Sequence, residues 1–109
     1  MHHTSSAWVY MMASRKNGTL YIGVTRALRH RIWQHKYAAT DGFTKDYRVS
    51  TLFYFEELSG IRMAIRREKQ LKGWRRERKI QLIESSNPDW TDLAREWFAR
   101  PLDPSQGSG

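Results

Sequence analysis

Two apolar runs of strand character flank Asn17-Gly18, and this pairing constrains the fold more than any other feature of the chain. Trp8 to Ala13 is continuous, with aromatic and β-branched members, and Leu20 to Val24 returns in the same style. Short runs of this kind, bounded by turn residues, read as buried strands. Asn-Gly tolerates the positive φ angles of a tight turn, so the two strands are expected to form an antiparallel hairpin. Thr51 to Glu56 is a third strand, rich in aromatics. Between the second and third strands, Ala27 to Ala39 has helical spacing, with Leu28, Ile32, His35 and Ala39 on one stripe. Asp41 to Arg48 is a loop around Gly42. Ile61 to Arg78 reads as a helix interrupted near Gly73, followed by shorter helices over Lys79 to Glu84 and Asp89 to Phe98, parted by Pro88. The expected fold is α+β: a small three-stranded antiparallel sheet flanked by helices, in the order β-β-α-β-α-α.

The chain has 109 residues, one domain's worth. Residues 8–100 are expected to form that domain, with tails at 1–7 and 101–109; the second tail holds prolines, glycines and serines. Hydrophobic residues make up 39% of the chain and aromatics 13%, which allows a core and argues against global disorder. There is no cysteine, so disulfides and thiolate metal sites are excluded and a reducing compartment, the cytoplasm, is the expected location. No apolar run reaches the roughly 18 residues a membrane helix needs.

The net charge is +8, and it is unevenly spread. Arg62 to Lys79 holds nine basic and two acidic residues. A basic surface can serve solubility alone, but such concentration points to an anionic partner, of which nucleic acid is the commonest.

Several residues interrupt their own apolar stripes. Arg31 and His35 are four apart on the first helix and share a face. Glu68 lies in the stripe of Ile61, Ala64, Ile65 and Leu71. A carboxylate facing inward needs compensation, either an arginine in a structural salt bridge or a role as metal ligand or acid/base group. Tyr10 and Tyr21 lie on adjacent strands, and Gly23 leaves a strand position bare. Such a gap marks a bulge or a close approach by backbone or ligand. An aromatic pair beside a strand-ending glycine is the plainer reading.

Taken together, these residues resemble a known pattern. Val9-Tyr10-Met11 followed by Tyr21-Ile22-Gly23 resembles the paired motif of the GIY-YIG endonuclease superfamily; the second half matches fully and the first keeps its tyrosine. Leu28 to His35 is similar to the family's following helix, whose arginine corresponds to Arg31. Ala64 to Trp74 resembles the segment bearing the metal-binding glutamate, here Glu68, and Asn87 stands where the family often has a late asparagine. Gly42-Phe-Thr-Lys45 resembles the small stand-alone branch. Some relatives carry a lysine directly after Tyr-Ile-Gly; here that place is Val24.

The resemblance implies a metal-dependent DNA endonuclease. Glu68 would hold one Mg2+ or Mn2+ ion, Arg31 would neutralise phosphate oxygens, and Tyr21 would act as base with Tyr10 and His35 orienting it or relaying the proton; the two tyrosines can also exchange roles. Gly23 would let the DNA backbone approach, and Lys45, Arg66, Arg67 and Asn87 would contact substrate. Trp33 and Trp74 can stack bases or pack between helices. The competing class is a non-catalytic nucleic-acid-binding module on the same fold. An additional protein partner for targeting is also expected of so small a domain.

Overall fold

The computed structural model describes residues 5–38 and 50–98. The loop around Gly42, with Lys45, and most of both tails lie outside the described residues.

Strand β1 (Ala7–Ala13) and strand β2 (Leu20–Thr25) form the hairpin, and β3 (Thr51–Leu58) pairs with the other side of β1. The sheet is antiparallel throughout, in the order β2-β1-β3. Helix α1 (Leu28–Tyr37) lies between β2 and β3 in sequence; α2 (Ile61–Lys72) and α3 (Arg76–Ser86) follow β3. The order is therefore β-β-α-β-α-α, as the apolar patterning implies.

The hairpin connection spans Ser14 to Thr19 and is wider than a minimal two-residue turn. Asn17 supplies the left-handed residue, at φ 61°, and the Gly18 amide donates to the Arg15 carbonyl at 2.9 Å.

Alternation along β1 divides the molecule into two cores. Val9, Met11 and Ala13 face α2 and α3, where they meet Ile22, Ala64, Leu71 and Ile83. Tyr10 and Met12 face the opposite way, toward Leu28 and Ile32 of α1 and Leu52 of β3. Between Met11 and Met12 the register with β3 shifts, so that Met11 opposes Tyr54 and Met12 opposes Leu52. Phe53 is the extra residue of this bulge; it turns into the first core and meets the Trp90 ring at 4.9 Å.

The interruption expected near Gly73 is present: α2 ends there and the chain turns through Trp74 and Arg75. What differs is that α3 starts at Arg76 and runs to Ser86, taking in the stretch expected as a separate helix over Lys79 to Glu84. Ala64 and Leu71 are buried on α2, whereas Ile65 is 40% exposed, so the inward stripe is narrower than the sequence spacing suggests. The segment Asp89 to Phe98 is a run of turns, not a helix. Short turns within it bond Arg95 to Asp92 and Trp97 to Ala94, and other polar groups tie it to the rest of the fold. The Leu93 amide donates to the Leu52 carbonyl at 2.8 Å, the Leu52 amide donates to Asp92 Oδ1 at 3.2 Å, and Trp90 takes a positive φ of 55°.

Candidate active site

The α1 face of the sheet brings together four of the residues singled out above. Tyr10, at the centre of β1, is 1% exposed. Its hydroxyl shares a 2.9 Å hydrogen bond with His35 Nε2 and accepts from Arg31 Nε at 3.4 Å. Arg31 and His35 both come from α1, one turn apart, so their spacing aims both at the same hydroxyl. Tyr21 completes the group. Its ring lies 6.1 Å from that of Tyr10 and 5.2 Å from His35, and it is half-buried. Tyr10 and Tyr21 are diagonal neighbours: Tyr10 is directly opposite Gly23, and Tyr21 opposite Met12.

That register explains Gly23. A Cβ at this position would stand 2.5 Å from the Tyr10 hydroxyl oxygen and 2.6 Å from the ring carbon bearing it. No side chain fits there while Tyr10 keeps its place, so the bare position accommodates the phenol of the neighbouring strand.

Burial sets the electrostatics. It pushes the Tyr10 phenol well above its ordinary value, against the opposing hydrogen bond from Arg31, so Tyr10 stays neutral in the physiological range. The hydrogen bond to Tyr10 raises Arg31 in turn, with Tyr21 adding to the same direction, so the guanidinium is firmly charged. Arg31 Nη1 also donates to Gln34 Oε1 at 3.1 Å. Gln34 is not among the residues read from the sequence, although its place three after Arg31 on a helix carries the signal.

Glu68 stands elsewhere in the architecture. It is on α2, whose buried side chains belong to the core on the opposite face of the sheet, over β1 and β2. Its side chain is 20% exposed and pairs with Lys72, itself 56% exposed, at 3.2 Å. An ion pair this open is readily exchanged for another cation. Among the described residues no three His, Cys, Asp or Glu side chains form a cluster. The donor set therefore fits a hard divalent ion that takes one protein carboxylate and completes its shell with water and substrate oxygens, and does not suit a caged metal.

The remaining candidates separate. Arg66 is exposed on α2. Arg67 Nε is bound to Glu56 at 2.9 Å, and its guanidinium lies 5.4 Å from the Trp74 ring centroid, with Arg78 on the same ring at 3.9 Å. Trp74 is thus packed between cations. Asn87 is buried. It donates to the carbonyls of Phe53 at 3.1 Å and Thr91 at 2.9 Å, and accepts from the Thr91 amide at 3.0 Å. Its amide ties the end of α3 to β3 and to the turns that follow.

No helix among the described residues is long and apolar enough to cross a membrane.

The chain is similar to several known proteins. Residues 6–81 match the model of the GIY-YIG catalytic domain. The chain is 34% identical over 77 residues to UPF0213 protein SH2523 of Staphylococcus haemolyticus, covering 71% of this chain and 93% of that protein. It is 32% identical over 68 residues to UPF0213 protein SSP2268 of Staphylococcus saprophyticus, covering 62% and 83%. The solution NMR structure of UPF0213 protein BH0048 from Bacillus halodurans is similar with a TM-score of 0.49 and 22% identity, over 84% of this chain and 97% of that one. On the extent of the domain match and of its likeness to the staphylococcal proteins, the chain belongs to the GIY-YIG catalytic domain family.

Proposed function

We infer that the protein is a metal-dependent endonuclease that hydrolyses DNA phosphodiester bonds at the Tyr10–Tyr21–Arg31–His35 group. The observation that carries this reading is the buried Tyr10 hydroxyl, which shares a hydrogen bond with His35 and accepts one from Arg31, both on α1, while the half-exposed Tyr21 ring lies alongside. A plain core would place an aliphatic side chain there and have no need of a guanidinium aimed at a phenol.

The two tyrosines then have different tasks. Tyr10 is sealed and neutral; it fixes the positions of His35 and Arg31. Tyr21 is the phenol that water reaches; in its phenolate form, favoured by the neighbouring guanidinium, it takes the proton as the water oxygen attacks phosphorus and becomes the neutral phenol. The bond from phosphorus to the leaving oxygen breaks, and solvent protonates that oxygen. Arg31, held by Tyr10 and Gln34, neutralises the charge growing on the non-bridging oxygens, a task suited to its fixed charge and planar donors. His35 holds the Tyr10 hydroxyl and packs against the Tyr21 ring, keeping both phenols in place. Glu68 would hold the divalent ion: its helix covers β2, the edge strand that carries Tyr21, so the carboxylate and the phenol would serve one phosphate across that edge, where the ion would supply Lewis acidity. The exposed bases of α2 and α3, Arg66 among them, draw the phosphate backbone toward the domain and make binding fall with salt.

The test is cleavage of labelled single-stranded, duplex, flapped and four-way DNA, with Mg2+ or Mn2+ and with a chelator. The wild type is expected to cut at least one of these only when the ion is present. Tyr21→Phe and Glu68→Gln are each expected to lower the rate by at least about a hundredfold, within the range of general-base and electrostatic contributions, while leaving DNA affinity within about twofold. A wild type that binds DNA and cuts none of the four sinks the nuclease reading and leaves a binding module.

A further inference from the structure

Beside the site, on the same side of the sheet, five aromatic rings form an unbroken ribbon. Phe55 meets Trp97 at 5.7 Å, Trp97 meets Phe98 at 6.2 Å, Phe98 meets Tyr37 at 6.0 Å, and Tyr37 meets Trp33 at 5.8 Å. Phe55 is 37% exposed, Trp33 44% and Tyr37 62%, an unusual display of large rings for a small domain. Two shallow grooves follow the ribbon. One, of about 450 Å³, is lined by Trp8, Phe55, Trp97, Arg26, Arg29 and His30 among others; the second, of about 400 Å³, is lined by Arg29, His30, Trp33 and Phe98. Arg29 and His30 belong to both, so the grooves adjoin. The Arg29 guanidinium lies 5.3 Å from the Trp97 ring and 5.7 Å from Phe98 and donates to the Trp97 carbonyl. Among the described residues no carboxylate lines either groove.

The ribbon begins next to the site. Phe55 is opposite Tyr10 across β1 and β3, as Gly23 is across β1 and β2, so one row of the sheet runs Gly23, Tyr10, Phe55. Helix α1 carries Arg31 and His35 of the site together with Arg29, His30 and Trp33 of the groove.

Exposed rings among cations with no acid suit a ligand with flat apolar faces strung on a negative backbone. Unpaired nucleotides have that chemistry, because each base offers a face for stacking and each phosphate a charge. A duplex does not, since its bases are stacked on each other and must be pulled apart to reach a protein ring. An acidic peptide supplies the charge without a regular series of flat faces. We propose that the groove holds unpaired nucleotides of a single DNA strand, with bases against Phe55, Tyr37 and Trp33 and phosphates on Arg26, Arg29 and His30. The inference rests on the reading of the neighbouring site as a DNA nuclease and makes single-stranded DNA the substrate class of that site.

The experiment uses the full chain carrying Glu68→Gln, so that affinity is read without cutting. Fluorescence polarisation follows a labelled single-stranded oligonucleotide of about 16 nucleotides, and the same sequence as a duplex, at one salt concentration. The single strand is expected to bind at least about tenfold more tightly than the duplex, and Trp33→Ala and Tyr37→Ala should each weaken it by about five- to tenfold, in line with the loss of one stacked base. Duplex affinity should change less than about twofold, and Trp33→Phe, which keeps a flat face, should recover most of the loss. Circular dichroism establishes that each variant is folded, and Phe55→Ala is read in the same way if it folds. Equal affinity for both DNA forms, equal losses for both in the ring variants, or displacement of the oligonucleotide by poly-glutamate at the same charge concentration overturns the proposal. The two readings fail separately. Ring-independent binding by a chain whose wild type cuts DNA sinks the groove alone. Ring-dependent binding of single strands by a wild type that cuts nothing sinks the nuclease alone.

Discussion

A single methyl group at position 23 would collide with the Tyr10 phenol, and this makes Gly23 a sensitive probe of the site. Gly23→Ala forces the Tyr10 ring away from His35 and Arg31. It should destabilise the fold by about 1–3 kcal/mol, the usual range for overpacking a tight core, and should reduce cleavage more than the stability loss explains. Thermal denaturation beside a cleavage assay on the folded protein checks both. The motif Tyr21-Ile22-Gly23 announces a tyrosine and a glycine but not their relation to Tyr10. That relation is a matter of register: the glycine belongs to Tyr10, two residues from the tyrosine it follows in sequence. Arg31 and His35 were legible, because helical spacing fixes a shared face without reference to any other element. Glu68 was legible as a residue and not as a place. Its helix covers the far side of the sheet, and stripe arguments do not reveal which face a helix will cover.

At the scale of elements, the strands and α1 could be read from apolar runs and spacing, whereas the segment after α3 could not. Asp89 to Phe98 has helix-compatible spacing, yet it is held in turns by bonds to α1, to β3 and to the residue that ends α3. Asp92 binds Lys36 of α1 at 2.6 Å and the amides of Leu52 and Ala94, while Asn87 binds Phe53 and Thr91. Lys36, Leu52 and Phe53 are remote from the segment in sequence, so local propensity is overruled by contacts that only the folded chain supplies. Asn87→Ala leaves the buried Phe53 carbonyl and the Thr91 backbone without that partner and is expected to cost about 1–3 kcal/mol, read as a lower urea midpoint. DNA affinity of the folded variant should stay within about twofold. A variant of full stability that loses affinity would instead place Asn87 on the substrate.

For the whole molecule, the two cores contain phenols that resist ionisation. Burial, assisted by the hydrogen bond to Glu56, pushes Tyr54 up to about 12, and burial raises Tyr10 as well. In the unfolded chain both titrate near about 10. Because the folded values are the higher ones, their contribution to stability is complete below about pH 10 and is lost as the pH climbs through about 12. Urea midpoints should therefore be level up to about pH 10 and then fall, with Tyr54→Phe falling less steeply. A decline that begins near pH 8 and is unchanged in Tyr54→Phe would contradict this account.

The middle strand has a further consequence. Six of the seven residues of β1 are buried, alternately in one core and the other, and both neighbouring strands hang from it. Neither half of the protein owns this strand, so the α1 layer and the α2–α3 layer cannot melt one at a time: whatever loosens the floor of one room takes the ceiling from the next. A lesion far from Tyr10, on the α2 side, thus reaches the tyrosines by way of their own backbone.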